Sequence, residues 1–285
     1  MKILVTGADG FIGRALSHRL ERGGHEVTGI DLADGKIQAK QTLETFQKAS
    51  FDHVFHLAAH GAIQESWDKI PEYIERITLG TSRVMQFCKD IGASYTYISS
   101  YMYGMPEREF IDETHPISTV NPYALSKRLS EKVCQFYSSQ LGVKGTIIRP
   151  FVIFGPGLKE SFLIPSLIKQ VIESETIVVR DLTPRKRDFL FIEDFIDVIE
   201  KTINPIKSIS IFNVGMGKSY TIQELINLIQ DIAGTEKPIE NLNQPAKNEY
   251  PDVFANIDKV KKELQWEPKF DMRRGLKRYI EEIND

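Results

Sequence analysis

Tyr123 and Lys127 stand four residues apart in the run Val120-Asn121-Pro122-Tyr123-Ala124-Leu125-Ser126-Lys127. Asn121 is a natural N-cap and Pro122 fits the first helical position, so Tyr123 is expected near the start of a helix. Residues four apart on a helix share a face, which sets the phenol beside the ammonium. A free tyrosine titrates near pH 10 and is a poor base at neutral pH. A neighbouring cation favours the phenolate, and a shift of roughly 3 units needs about 4 kcal/mol of differential interaction. Such a pair can take a proton from an alcohol or return one to a ketone oxygen. The spacing is common on any solvated helix, so the chemistry needs support from elsewhere in the chain.

That support begins at the start. An apolar run over residues 2–6 leads into Gly7-Ala8-Asp9-Gly10-Phe11-Ile12-Gly13, which opens a helix to about residue 22. Gly7 permits a tight turn, Gly10 lets the backbone approach a pyrophosphate, and Gly13 lets the helix pack on the sheet. The free amides and positive dipole of the helix start suit the anion. A second strand over residues 26–30 ends in Asp31, an acid that suits the ribose hydroxyls of NAD and repels a 2′-phosphate. Residues 42–49 read as a helix and 52–57 as a buried strand, followed by the small Ala58 and Ala59. A long helix over 70–91 and a strand over 95–98 deliver Ser99, Ser100, Tyr101 and Tyr103-Gly104 at the strand's carboxyl end, where open parallel sheets bind ligands. After the Tyr123 helix, a strand over 144–149 ends in Arg149-Pro150.

Strands alternating with helices to this point predict an α/β fold with a doubly wound parallel (Rossmann) sheet. From Phe151 the rhythm changes, with turns at Gly155-Pro156-Gly157, a helix over 162–173, strands near 190 and 212, and helices near 222–229, 257–264 and 272–283. Residues 1–150 are read as the dinucleotide-binding domain, rejoined by about 188–217. Residues 151–187 and 218–285 are read as a smaller C-terminal α/β substrate-binding lobe.

Composition bounds the partners. The 285 residues are 41% hydrophobic and 26% charged with a net charge of −3, which gives no reason to expect nucleic acid or a membrane. No apolar run approaches membrane length, and there is no leader, so the chain is read as cytoplasmic. The two cysteines, Cys88 and Cys134, and the six histidines show no metal-ligand spacing, so no metal is expected.

With these pieces assembled, the chain resembles the extended short-chain dehydrogenase/reductases, in their NAD-dependent sugar-nucleotide epimerase, dehydratase and reductase branch. The resemblance rests on Thr6-Gly7-x-x-Gly10-Phe11-Ile12-Gly13, His56-Leu57-Ala58-Ala59, Ser99-Ser100 before Tyr103-Gly104, Tyr123-x-x-x-Lys127, Arg149-Pro150, Arg187-Asp188-Phe189 and Leu264-Gln265-Trp266-x-Pro268. It implies Ser99, Tyr123 and Lys127 as catalytic, with Lys127 lowering the pKa of Tyr123 and holding the nicotinamide ribose. It implies NAD held by Gly7, Gly10, Phe11, Ile12, Gly13, Asp31, Leu57, Ala58, Ala59, Tyr123, Lys127 and Pro150. It implies a nucleotide-diphosphate sugar met by Ser99, Ser100, Tyr101, Arg187 and Asp252, with Arg187 on the diphosphate.

The departures matter too. Ser100 and Tyr101 replace the Asp-Glu pair of the dehydratases, while Val152, Ile77 and Glu249 stand where the family has Asn, Asn and Arg. The resulting expectation is hydride transfer at C4 of the sugar, run as an epimerase with retained NAD. The alternatives are a 4-keto-6-deoxy sugar-nucleotide reductase and a non-catalytic NAD-binding protein. The resemblance also implies a homodimer built on the 70–91 and Tyr123 helices, with Phe87, Val133, Phe136 and Tyr137 compatible with the contact.

Overall fold

A computed structural model describes residues 1–31, 43–46, 49–58, 63–101, 103–104, 107–108, 110–244 and 252–284. In chain order the strands are β1 (Lys2–Thr6), β2 (Glu26–Ile30), β3 (His53–His56), β4 (Ser94–Ile98), β5 (Phe110–Ile111), β6 (Gly145–Pro150) and β7 (Val152–Phe154). They continue as β8 (Ile177–Val179), β9 (Lys186–Phe191), β10 (Ile209–Val214), β11 (Ser219–Thr221), β12 (Ile239–Asn241) and β13 (Asp252–Ala255). The chain divides into two compact units, one of Met1–Gly104, Glu113–Pro150 and Ile196–Asn213, the other of Met105–Asp112, Phe151–Phe195 and Val214–Asp285.

The first unit is built on a six-stranded sheet in the order β10-β6-β4-β3-β1-β2. The pairs β1–β2, β1–β3, β3–β4 and β4–β6 are all parallel. Ile3, Leu4 and Val5 have no exposure, as a strand covered on both faces requires. The strand order reverses between β1 and β3, which makes the carboxyl ends of those strands the switch point at which such sheets bind ligands. The helix Phe11–Arg22 turns Gly13, Leu16 and Leu20 inward at helical spacing.

Ile70–Tyr73, Ile74–Leu79 and Gly80–Ile91 run on from one another, with the middle stretch π-helical. The helix Pro122–Leu141 starts where its cap dictates: Asn121 Oδ1 accepts from the Ala124 amide at 2.8 Å. The two helices are cross-tied, Thr78 Oγ1 donating to Ser126 O at 3.2 Å and Ser130 Oγ to Ile77 O at 3.2 Å. Phe87 lies inside the core, and Val133 and Tyr137 pack against it. Of the four residues expected at a subunit contact, only Phe136, at 56% exposure, faces outward.

The second unit holds a sheet in the order β11-β9-β13-β5, with β7 pairing β9, and a separate β8–β12 pair. The expected return of residues 188–217 to the Rossmann sheet is therefore narrower: β10 returns, whereas β9 does not. The reason lies in the side chains of β9, since Phe191 meets Phe154 at 5.5 Å and Phe270 at 4.8 Å within the second unit. Asp188, 1% exposed, accepts from the amides of Met216, Gly217 and Ala255 at 2.7, 2.9 and 3.1 Å, which ties β9 to the following turn and to β13. The helix expected over 42–49 lies partly outside the described residues. No described helix is long and apolar enough to cross a membrane.

Candidate active site

The glycine turn after β1 is a cradle that side chains would fill. Gly7 has φ +77, and a Cβ there would lie 2.8 Å from the Ala58 amide nitrogen. A Cβ on Gly13 would lie 2.1 Å from Gly7 O, so helix and turn meet at backbone distance. Gly10, the N-cap, supplies no side chain to the first amides of the Phe11–Arg22 helix, and they remain donors for an anion. Asp31 Oδ2 accepts from the Asp9 amide at 2.8 Å, which holds a carboxylate at the mouth of this turn. Leu57 and Ala58 join from β3: the Leu57 amide donates to Thr6 O at 3.0 Å and the Ala58 amide to Thr6 Oγ1 at 3.3 Å. Phe11 and Ile12 are half-buried on the first helical turn, and Pro150 is buried at the end of β6. Ala59 lies outside the described residues. The close backbone approaches, the uncapped helix start and the placed acid fit a dinucleotide with a free ribose 2′-hydroxyl.

At the carboxyl end of β4 the Tyr123 helix brings its chemistry to the strand. The Ser100 hydroxyl bears on the Tyr123 phenol and favours its ionised form. Lys127, 4% exposed, donates from Nζ to Ile98 O at 2.7 Å, and its nitrogen lies 5.0 Å from the Tyr97 ring and 5.9 Å from the Tyr123 ring. Burial lowers the Lys127 amine to about 7, with the Glu131 charge opposing. Tyr123 departs from the expectation that its amine neighbour depresses it. Although the ring keeps some exposure, burial of the hydroxyl pushes it up to about 12 against the help of Ser100. The physical reason is that Lys127 is turned to a strand carbonyl and the hydroxyl lies in a low-dielectric site.

Ser99 is turned to the Tyr123 helix one turn beyond Lys127. Its Oγ is spent on Glu131 Oε1 at 2.7 Å, and Ser99 is 4% exposed. Ser100, expected only to touch substrate, is the hydroxyl that bears on the Tyr123 phenol. Counting back from Tyr103-Gly104 reaches Ser99, whereas counting forward from the end of β4 reaches Ser100 as the second loop residue. Sequence reasoning also missed Glu131. It stands four residues beyond Lys127, one more turn along the same face, and that spacing was the available signal.

In the second unit Arg187 and Asp252 come from neighbouring strands, β9 pairing β13 with Asp252 opposite Lys186 and Val253 opposite Arg187. Arg187 Nη1 donates to Lys186 O at 2.7 Å. Asp252 Oδ1 is buried with no hydrogen-bond partner among the described residues, an acceptor left for a ligand donor. Tyr101 is half-buried in the loop after β4.

A Rossmann sheet with a glycine-turn dinucleotide cradle and a Ser–Tyr–Lys set at the end of its fourth strand defines an extended short-chain dehydrogenase/reductase. Comparison with known proteins agrees with this class. The model of the NAD dependent epimerase/dehydratase family matches residues 3–215. A UDP-glucuronate 4-epimerase of Thermodesulfobacterium geofontis is 28% identical, over 97% of this chain and 94% of that protein. An uncharacterised UDP-glucose epimerase of Bacillus subtilis is 27% identical, over 97% of this chain and 96% of that protein. The UDP-glucose 4-epimerase of Thermotoga maritima, solved with UDP-glucose, superimposes with a TM-score of 0.90 at 24% identity, over 100% of this chain and 99% of that one. The chain belongs to the NAD dependent epimerase/dehydratase family, and NAD is its cofactor.

Proposed function

We propose that this chain is a UDP-sugar 4-epimerase, acting on a UDP-hexose or UDP-hexuronate. The observation that carries the reading is the buried Lys127 amine, held to Ile98 O at 2.7 Å one helical turn from the Tyr123 phenol, on which the Ser100 hydroxyl bears. Two hydroxyls converging on one point can hold a single sugar oxygen and move its proton. Tyr123 is the proton donor and acceptor at the 4-oxygen, and Ser100 orients that oxygen. Lys127 supplies positive charge beneath the phenol and a donor for a ribose hydroxyl. NAD, which the Gly7–Gly13 turn and Asp31 would hold, would supply the hydride acceptor and donor that exchange at C4 needs. Arg187 offers planar paired donors for the diphosphate, and Asp252 an acceptor for the nucleoside. The curated relatives named above, matched nearly end to end, support a UDP substrate.

The test is incubation of the purified holoenzyme with UDP-glucose, UDP-galactose, UDP-glucuronate and UDP-galacturonate, with products separated by chromatography. Interconversion of one 4-epimeric pair without added NADH is expected. Failure on every pair by a protein that binds NAD would overturn the reading. Stoichiometric oxidation of NADH by a 4-keto sugar nucleotide would instead establish the reductase alternative, which Asp31 already disfavours wherever NADPH is the donor.

We also infer a homodimer. Leu125, Leu129 and Phe136, at 38%, 38% and 56% exposure, form an apolar row on the outer face of the Tyr123 helix. Light scattering should give twice the chain mass, and Phe136→Glu should lower it. The buried, free thiols of Cys88 and Cys134 suit the reducing cytoplasm.

A further inference from the structure

Tyr123, Lys127 and Glu131 follow one another at single-turn spacing, and the last two each grip a different residue at the end of β4. Lys127 Nζ donates to Ile98 O at 2.7 Å and Glu131 Oε1 accepts from Ser99 Oγ at 2.7 Å, while the Ser100 hydroxyl bears on the Tyr123 phenol. Glu131 is 2% exposed and fully occupied. Its Oε1 also accepts from Arg149 Nε at 2.8 Å, and its Oε2 from Arg149 Nη2 at 2.7 Å and Arg128 Nη1 at 3.0 Å. Arg149, 3% exposed, donates in turn from Nη1 to the Tyr103 hydroxyl at 2.7 Å. Lys127, Arg128, Glu131, Arg149 and Ser99 all line one cavity of about 10 Å³, about the room one water needs.

A buried ion pair is a poor way to gain stability, because well-packed apolar residues of similar volume do as well or better. This pair sits one turn below an amine that has itself been taken out of water, where a nearby anion matters most. We propose that Glu131 is a positioning residue for the reaction: it keeps Lys127 charged inside a buried site, and through Ser99 it fixes the loop that presents Ser100 to Tyr123. Arg149 is its counterweight, holding the carboxylate ionised and aimed. The proposal rests on the catalytic reading of Tyr123 and Lys127 given above.

The groups around Lys127 leave this task to Glu131. On the same helix, burial drives the Cys134 thiol well up, so it stays protonated. From β4 the buried Tyr97 phenol is likewise raised and neutral. From β3, burial holds His56 neutral, with its imidazole lowered to about 3. Arg128 and Arg149 add positive charge. Burial alone would raise Glu131, but the hydrogen bonds and charge of Arg149 outweigh it and hold the carboxyl below its ordinary value. Among the described residues, Glu131 is the anion that opposes the loss of the Lys127 charge.

The test reads Lys127 directly and needs no turnover. In the full chain with 13Cε-labelled lysine, the Lys127 signal, assigned by its loss in Lys127→Ala, is followed from pH 5 to 11. Glu131→Gln should lower its midpoint by about one pH unit or more, and Arg149→Met should leave it in place or raise it. Because Glu131→Gln leaves Arg149 buried without a partner, the double variant Glu131→Gln/Arg149→Met is measured as well. It removes both charges and, once a cooperative melt shows that it folds, should still lower the midpoint. A double variant whose midpoint stays within about 0.3 of the native one overturns the proposal, as does an upward shift in Glu131→Gln. The alkaline limb of kcat should move with the midpoint, whereas a purely structural Glu131 would lower kcat without moving the limb. Full turnover in Tyr123→Phe would instead sink the catalytic reading and leave the midpoint result standing.

Discussion

Replacing Lys127 by methionine should make the protein more stable, and only below a definite pH. Burial takes this amine from its ordinary 10.5 to about 7, and the residue is 4% exposed, so solvent does not screen the penalty. At about 1.4 kcal/mol per unit the gap corresponds to about 5 kcal/mol of charge burial. The sign follows from proton counts. Between pH 7 and 10.5 the unfolded chain holds the proton and the folded chain releases it, so native stability rises with pH across that window. Below pH 7 both states are protonated and the full penalty applies. Methionine is close in volume and carries no charge, but it leaves Ile98 O without its donor, a loss of about 1 to 2 kcal/mol. Lys127→Met should therefore gain about 3 kcal/mol at pH 6, and the gain should shrink by about 1.4 kcal/mol per unit above pH 7. Urea unfolding of both proteins at pH 6, 7.5 and 9, with unchanged slopes, measures this difference, and other titrating groups cancel to first order. Parallel stability curves across that range would refute the reasoning. A residue that costs the fold this much is kept for the site, as expected where function and stability conflict.

Three further outcomes follow from the same geometry. Ser100→Ala should lower kcat about 100-fold with little change in melting temperature, whereas Ser99→Ala should mainly cost about 1 to 3 kcal/mol through Glu131; the opposite ranking, read by kinetics and thermal melts, would restore Ser99 to the phenol. Gly13→Ala sets a Cβ 2.1 Å from Gly7 O and should abolish NAD binding in calorimetry; native affinity in a folded variant would move the cofactor away from this turn. Acid should destabilise the first unit, because burial lowers His53 and His56 from 6.5 to about 3 and both must stay neutral to remain folded. Between pH 7 and 5 they withdraw about 4 kcal/mol, and Asp188, raised by burial from 3.8 to about 6, returns about 1 over the same window. A net loss near 3 kcal/mol in urea unfolding is expected, and equal stability at the two values would contradict the buried neutral imidazoles.

What could be read from the chain alone divides along physical lines. The cofactor turn was legible because its requirements are local: Gly7, Gly10 and Gly13 answer to backbone clearance within one strand–turn–helix unit, and Asp31 ends the next strand. The long helices were legible through their caps and periodicity, with Asn121 and Pro122 starting one and Gly92 and Gly142 ending two in the left-handed conformation. The second unit was legible in its helices and in β8 but not in the rest of its short strands, because β5, β7, β11 and β12 are two or three residues long, too short to show alternation. Ser99 was read as both catalytic and substrate-binding and Ser100 as substrate-binding only, because identical side chains in series carry no facing information. Which hydroxyl looks outward is decided by Glu131, and Glu131 meets Arg149 only once β6 lies beside β4.

The proton ordering of the pair was hidden for a related reason. Helical spacing correctly placed Tyr123 near Lys127, but spacing says nothing of burial, and here burial dominates both groups. With the phenol up at about 12 and the amine down at about 7, the amine holds the more labile proton at neutral pH. Tyr123 therefore begins as a hydrogen-bond donor, suited to the oxygen of a ketone. To accept a proton from the sugar alcohol it must be helped by a fully charged Lys127. That places the reversibility an epimerase needs on the charge of Lys127, and so on the carboxylate one turn below it.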